Sequence, residues 1–233
     1  MRKKKRVEVL IEFENREICY KCYRPKSSCI CEFLINPIKT NTKFVILMHP
    51  KEFRKTKNGP GHMTNNSLEN CELHVGIDFT NNKRVNELLN KEIYEPYVLY
   101  PDINSIKLNT QALPSEKIAL IFIIDSTWPC SKKILRLSKN LKNLKKVSFE
   151  HDKSSQFKIK TQPNQYCLST IESTLCVLEQ LNIHKSENIS EKKLLNFLLP
   201  FEKMVEYQLK YAYDENNIRF KPAYKKANLG NLS

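Results

Sequence analysis

Ile118-Ala119-Leu120-Ile121-Phe122-Ile123-Ile124 runs directly into Asp125-Ser126-Thr127-Trp128-Pro129, and this junction decides the fold. An apolar run without polar alternation is what a strand covered on both faces looks like. Two further runs have strand length, Phe44-Val45-Ile46-Leu47-Met48 and Tyr97-Val98-Leu99-Tyr100. Helical periodicity is expected over Asn66 to Glu72, Lys83 to Asn90, Cys130 to about Lys146, Ser169 to Asn182 and Glu191 to Tyr213. Strands alternating with helices predict an α/β layer fold with a mostly parallel central sheet, not a β sandwich.

At 233 residues the chain exceeds a ~150-residue domain by about half, so one main domain with a small appendage is expected. Its 40% hydrophobic and 27% charged residues exclude a disordered chain. The reading divides it into a basic, cysteine-bearing N-terminus (1–40), an α/β domain (41–185) and a helical extension (186–233). Met1-Arg2-Lys3-Lys4-Lys5-Arg6 is followed by Val7-Glu8-Val9-Leu10-Ile11-Glu12-Phe13-Glu14, whose three acids leave no hydrophobic core for a signal peptide. The apolar run at 118–124 is far too short to span a bilayer. A cytoplasmic protein with no membrane partner is expected. Only four glycines occur, at 59, 61, 76 and 230, and none builds a phosphate-cradling fingerprint.

Eight cysteines in an unexported chain point to thiol or metal chemistry ahead of disulfides. Cys19, Cys22, Cys29 and Cys31 form C-x2-C-x6-C-x-C, while Cys71, Cys130, Cys167 and Cys176 stand singly. Four thiolates this close can converge on one tetrahedral Zn2+ and so stabilise a segment too short to bury a core. Packing alone, and redox or disulfide chemistry, are the competing readings.

Thirty-nine Lys and Arg against 25 Asp and Glu give a net charge of +14, which suits a polyanionic partner. A Lys-, Asn- and Ile-rich composition from A/T-rich coding is the plain alternative. From 131 to 160, ten Lys or Arg face only Glu150 and Asp152. Ile134, Leu137, Leu141 and Leu144 recur at helical spacing among Lys132, Lys133, Arg136, Lys139, Lys142, Lys145 and Lys146, so an amphipathic helix with a basic face is expected. Ser138-Lys139-Asn140 is a possible break. The face is either solvated or in contact with a phosphate backbone.

In α/β sheets, ligands bind at the carboxyl ends of strands. Two runs end informatively: Phe44–Met48 in His49-Pro50-Lys51-Glu52, and Ile118–Ile124 in Asp125. A carboxylate at the mouth of a buried strand suits general-base work. Capping of a helix near Pro129 competes with that role, which Thr127 could also fill. Trp128, the only tryptophan, either packs as core or stacks on a flat ligand. Ser169-Thr170-Ile171-Glu172 is a capping box, whose free N–H groups are also an anion site. Ser154 to Pro163 alternates cationic and apolar residues as an edge strand would.

Taken together, Cys19-x2-Cys22-x-Arg24-Pro25-x3-Cys29-x-Cys31, His49-Pro50-x-Glu52, Asp125-x-Thr127-Trp128 and Ser169-Thr170-x-Glu172 resemble the DTW-domain proteins, tRNA-uridine aminocarboxypropyltransferases. The resemblance covers roughly residues 19–180. It implies an S-adenosylmethionine-dependent enzyme with a knotted, SPOUT-like fold, acting on tRNA. It implies transfer of the 3-amino-3-carboxypropyl group to uridine N3, with Asp125 as base. It also implies a cofactor pocket drawn from His49, Glu52, Thr127, Trp128, Ser169, Thr170 and Glu172. Lys142, Lys145, Lys146, Lys158 and Lys160 are the expected RNA contacts, and the four clustered cysteines the expected zinc ligands. The family usually has Gly where Ser126 stands, and often Arg in place of Lys160. An RNA methyltransferase or a non-catalytic zinc-ribbon RNA-binding module would share parts of this pattern, and the oligomeric state is open.

Overall fold

The computed structural model describes residues 17–22, 24–34, 36–55, 59–114, 116–159 and 167–212. Among the described residues six strands form one sheet in the order β2-β1-β5-β3-β6-β4: β1 (Lys43–Met48), β2 (Cys71–Val75), β3 (Tyr94–Leu99), β4 (Ile106–Lys107), β5 (Ile118–Asp125) and β6 (Lys145–Ser148). Every pairing is parallel. The apolar run that ends in Asp125 lies at the centre, with Phe44 opposite Ile121 and Met48 opposite Asp125. β3 carries Pro96 without loss, because its pairing with β6 begins only at Tyr97.

The helices are α1 (Pro50–Lys55), α2 (Pro60–Ser67), α3 (Lys83–Leu89), α4 (Trp128–Leu137), α5 (Lys139–Lys142), α6 (Thr170–Ile183), α7 (Glu191–Leu195) and α8 (Leu199–Ala212). Successive strand residues point to opposite faces. Phe44, Ile46, Ile121 and Ile123 therefore pack with Met63 of α2, Val177 and Leu178 of α6 and Phe201 of α8. Val45, Leu47, Leu120 and Phe122 pack on the other face with Val85 and Leu88 of α3, Ile134 of α4 and Leu141 of α5. Both faces are covered, which is why the central runs lack polar alternation. Cys22, Ile30 and Leu34 belong to the same apolar cluster as the first face, so the cysteine element shares the core of the sheet.

Several expected elements differ. Asn66 to Glu72 is not a helix: α2 stops at Ser67 and Cys71–Val75 pairs along β1 in register. A free edge of β1 outweighs a short helical pattern there. The helix expected from Cys130 to Lys146 ends at Leu137, and Lys145–Ser148 is β6. Ser138 is fully buried and its hydroxyl oxygen accepts Phe79 N–H at 3.0 Å, a side-chain bond that competes with helix continuation. The segment from Glu191 splits into α7 and α8, with Pro200 in the first turn of α8, and Tyr213 lies outside the described residues. Ser154 to Ile159 is a loop and not an edge strand. Glu172 holds it, accepting from Ser155 Oγ at 2.9 Å and Gln156 N at 2.6 Å. The remainder of that stretch, from Lys160, lies outside the described residues.

Candidate functional site

From β1 the chain turns toward β2 at one edge, and from the adjacent β5 it turns toward β6 on the other side. The carboxyl ends of β1 and β5 therefore flank a topological switch point, where open α/β sheets place their ligands. His49 and Asp125 meet there, with His49 N donating to Asp125 O at 3.0 Å. Both side chains are buried, 5% and 8% exposed. Burial, together with Lys51 and Lys133 and against Glu52, depresses the His49 imidazole pKa. Its Nδ1 accepts Lys51 N–H at 3.1 Å, so the neutral ring carries its proton on Nε2.

Asp125 does not cap α4. Its Oδ1 accepts the Thr170 hydroxyl of α6 at 2.6 Å. Its Oδ2 lies against Gly61 of α2, where an added Cβ would sit 2.3 Å away. Glycine is required here by close approach, since any side chain would enter the volume of the carboxylate. The carboxylate is thus seated between the first turns of α2 and α6.

Beside it, a cavity of about 310 Å³ opens at the carboxyl ends of β3, β5 and β6. Tyr100, Ser126, Trp128, Phe149, His151 and Thr170 are among its walls. A cavity of this size is at the lower end of the ~300–1,000 Å³ range for small-molecule sites. Thr170 belongs both to this wall and to the Asp125 contact. Ser126 stands at the wall, and its hydroxyl pairs with that of Ser131 at 2.8 Å. A larger cavity of about 620 Å³ lies among Phe33, Ile38, Ser67, Lys193 and Phe197, toward the amino ends of β1 and β2 and away from this chemistry.

The DTW domain profile matches residues 16–209 of this chain. The chain belongs to the DTW domain family. It is similar to tRNA-uridine aminocarboxypropyltransferase 2 of Macaca fascicularis, 28% identical over 204 residues that cover 85% of this chain and 66% of that one. The protein of the same name from Mus musculus is 27% identical over 202 residues, with the same coverage. The Drosophila melanogaster protein is 29% identical over 218 residues, covering 91% of this chain and 86% of its own length. This chain thus spans just under two thirds of the length of the two mammalian relatives. No solved structure matches.

In this DTW domain the Asp-x-Thr-Trp motif is split by the fold. Asp125 points toward α2 and α6, whereas Thr127 and Trp128 start α4 on the opposite face and are exposed. Glu172 is 5% exposed and closes the capping box, taking Ser169 N–H at 2.7 Å and the Ser169 hydroxyl as well. Its oxygens hold the 154–157 loop against the start of α6, next to Leu168 and Thr170 of the cavity wall. Glu52 lies on α1, half-buried, within three residues of His49. Gly61, Tyr100, Phe149 and Ser173 join the site without a motif that announces them. Only Gly61, one of four glycines in the chain, carried a signal that could have been followed.

The four clustered cysteines converge. Their sulfurs lie within 4.8 Å of one another, with Cys19–Cys31 at 3.5 Å and Cys22–Cys29 at 3.7 Å. Ligands ~2.3 Å from a tetrahedral centre are ~3.8 Å apart, so the set is compatible with a structural metal. Backbone N–H groups of Cys22 and Lys21 point at the Cys19 sulfur and lower its pKa to about 6, with the Cys31 thiol adding to this. Burial, and then the crowding thiols, push Cys31 up, a cost that a cation at the centre would offset. Arg24 pins the element, donating Nε–H to Ser28 O at 2.5 Å and lying 5.8 Å from the Tyr207 ring of α8.

Two of the expected RNA lysines form ion pairs in the fold. Lys145 pairs with Glu95 and Lys146 with Asp102, each at 2.6 Å. Lys142 and Lys158 are exposed, and Lys160 lies outside the described residues. Among the described residues no helix is long and apolar enough to cross a membrane.

Proposed function

We propose that this protein is a tRNA-uridine aminocarboxypropyltransferase that uses S-adenosylmethionine as donor. The observation carrying this reading is the Thr170–Asp125 contact at the edge of a ligand-sized cavity, in a chain of the DTW domain family. The cavity fits the donor in size and chemistry, offering flat aromatic walls for a purine, and the Ser173 hydroxyl with the free N–H groups at the start of α6 for a carboxylate. Ser173, with the first free N–H groups of α6, holds that carboxylate. His49 and Glu52 shape the neighbouring crevice, Ser169 and Glu172 keep the wall in place, and Thr127 and Trp128 form the rim.

S-adenosylmethionine, when bound, supplies a methylene carbon attached to a good thioether leaving group. The protein supplies orientation and a proton acceptor. Thr170 donates its hydroxyl hydrogen to Asp125 and keeps its own lone pairs as acceptors on the cavity side. The uridine N3 proton therefore passes to the Thr170 oxygen as the hydroxyl proton moves to Asp125. N3 bonds to carbon, the carbon–sulfur bond breaks, methylthioadenosine leaves, and one proton remains on Asp125. The knotted, SPOUT-like path belongs to the same proposal, supported by the all-parallel sheet and by a cavity built from loops without a glycine-rich turn.

Zn2+ held by Cys19, Cys22, Cys29 and Cys31 is the proposed structural metal, supported by the sulfur spacing. A cytoplasmic location fits eight cysteines that form no disulfide. Mass spectrometry of nucleosides from tRNA of cells with and without the protein tests the function. Loss of aminocarboxypropyluridine in the deleted strain is expected. Loss of a methylated nucleoside instead, or no change, overturns the assignment.

A further inference from the structure

Trp128 is 43% exposed, although it is the only tryptophan in the chain and stands in the wall of the cavity. Its ring meets Tyr100 edge-on, with centroids 6.0 Å apart at 69°. A second aromatic pair, Phe149 and His151 at 5.6 Å, lines the same cavity and is less exposed. The volume of about 310 Å³ accommodates one small ligand and not two. A donor that fills it leaves the second reactant at the rim, where Trp128 and Tyr100 are.

The rest of α4 fits a nucleic-acid strand. Lys132 and Arg136 follow Trp128 at four-residue intervals, so they share its face, about 6 Å apart along the axis. Both are exposed, and neither forms an ion pair among the described residues, unlike Lys145 and Lys146. An aromatic face followed by unpaired cations is the arrangement that holds single-stranded bases and their phosphates.

We propose that Trp128, braced by Tyr100, is the stacking platform for the target uracil everted from the RNA, while Lys132 and Arg136 hold the adjoining phosphates. The proposal rests on the reaction assigned above, and it moves Trp128 from the donor's rim to the acceptor base. Eversion is required because N3 is occupied in base pairing and unreachable inside a stack.

The sole tryptophan makes the test direct. The full-length protein is titrated with a single-stranded RNA oligonucleotide containing one uridine, with the same oligonucleotide abasic at that position, and with S-adenosylmethionine alone. Saturable quenching of tryptophan fluorescence by the uridine strand only is expected. Anisotropy of an end-labelled strand should show Trp128→Ala weakening uridine-strand binding ~5- to 150-fold. Trp128→Phe should restore most of that loss, and donor affinity should stay within about twofold in both variants. Equal quenching by the abasic strand, or loss of donor binding in Trp128→Ala, overturns the proposal. Tryptophan quenching that persists while tRNA nucleosides show no aminocarboxypropyl group would instead sink the reaction and leave the platform standing.

Discussion

The Thr170 hydroxyl donates to Asp125 Oδ1 at 2.6 Å, joining the carboxyl end of the central strand to the first turn of α6 across 45 residues of sequence. Thr170 faces the cavity and Asp125 lies behind it. The carboxylate therefore acts through the hydroxyl, and the pair works as a unit.

Two substitutions expose that unit. Asp125→Asn keeps an oxygen to receive the Thr170 hydroxyl but cannot take up a proton, so single-turnover transfer should fall by at least about 100-fold. Thr170→Val should match that loss within several-fold, while Thr170→Ser should restore most of the rate. Donor affinity measured by calorimetry should barely change in Asp125→Asn. Near-normal turnover in Asp125→Asn would assign the carboxylate a purely structural seat.

Gly61→Ala tests the same seat from the other side. The new methyl would lie 2.3 Å from Asp125 Oδ2 and 2.9 Å from Met48 Cε, so the carboxylate must swing off the Thr170 hydroxyl. Turnover should drop by at least about tenfold, with the circular dichroism spectrum unchanged. Unaltered turnover would mean that the carboxylate position is immaterial to the rate.

How much of this was readable beforehand follows from what each signal reports. The run at 118–124 placed the central strand correctly, because burial on both faces leaves a pattern in the residues themselves. The cysteine spacing likewise predicted the convergence of sulfurs. The helical patterns run on into Cys71-Glu72 and Lys145-Lys146, the first residues of β2 and β6, because strand character there comes from a neighbour's free edge, which a local window does not contain. Asp125 was placed at the strand mouth, but the direction of its side chain depends on Gly61 and Thr170, far off in sequence. The ion pairs of Lys145 and Lys146 are not legible in the sequence, because Glu95 and Asp102 are remote in the chain.

The ion pairs of Lys145 and Lys146 separate two basic sets by experiment. Charge reversal of Lys132 and Arg136 together should weaken tRNA binding and flatten the dependence of log K on log salt by about 0.7–0.9 per lost phosphate contact. Reversal of Lys145 and Lys146 breaks ion pairs with Glu95 and Asp102, and should lower thermal stability more than it alters the salt slope. The opposite ranking would place the RNA track over β6.

Acid should find a weak point at Glu72. Arg84 binds its carboxylate at 2.9 and 2.7 Å and Lys43 adds a contact at 2.9 Å. Arg84 first, then Lys43, hold the Glu72 pKa down to about 2 against the opposing effect of burial. A depressed carboxyl stabilises the fold above its unfolded value near 4.5, and that contribution disappears as pH falls from there toward about 2. Melting temperature should therefore decline over this window more steeply in the unmodified protein than in Glu72→Gln. Parallel curves would remove Glu72 from the account of acid sensitivity.

The cysteine element should couple metal to stability and leave the chemistry intact. Elemental analysis should find about one zinc per chain, and Cys29→Ser should lower that content sharply, since a tetrahedral structural site loses a closed ligand set. Cys71→Ser and Cys176→Ser should keep the metal, because neither thiol lies in the cluster. Cys22, Ile30 and Leu34 share the core with Phe44, Val177 and Phe201, so chelation should cost melting temperature across the whole domain. The same linkage predicts partial recovery when zinc is restored. His49, Asp125 and Thr170 stand at the carboxyl ends of the strands, whereas Phe33 and Leu34 of the element face the cavity at the amino ends. Metal-depleted protein held well below its lowered melting temperature should accordingly keep donor affinity within a few-fold. Loss of donor binding in step with zinc, at a temperature where the fold persists, would place the metal inside the catalytic machinery.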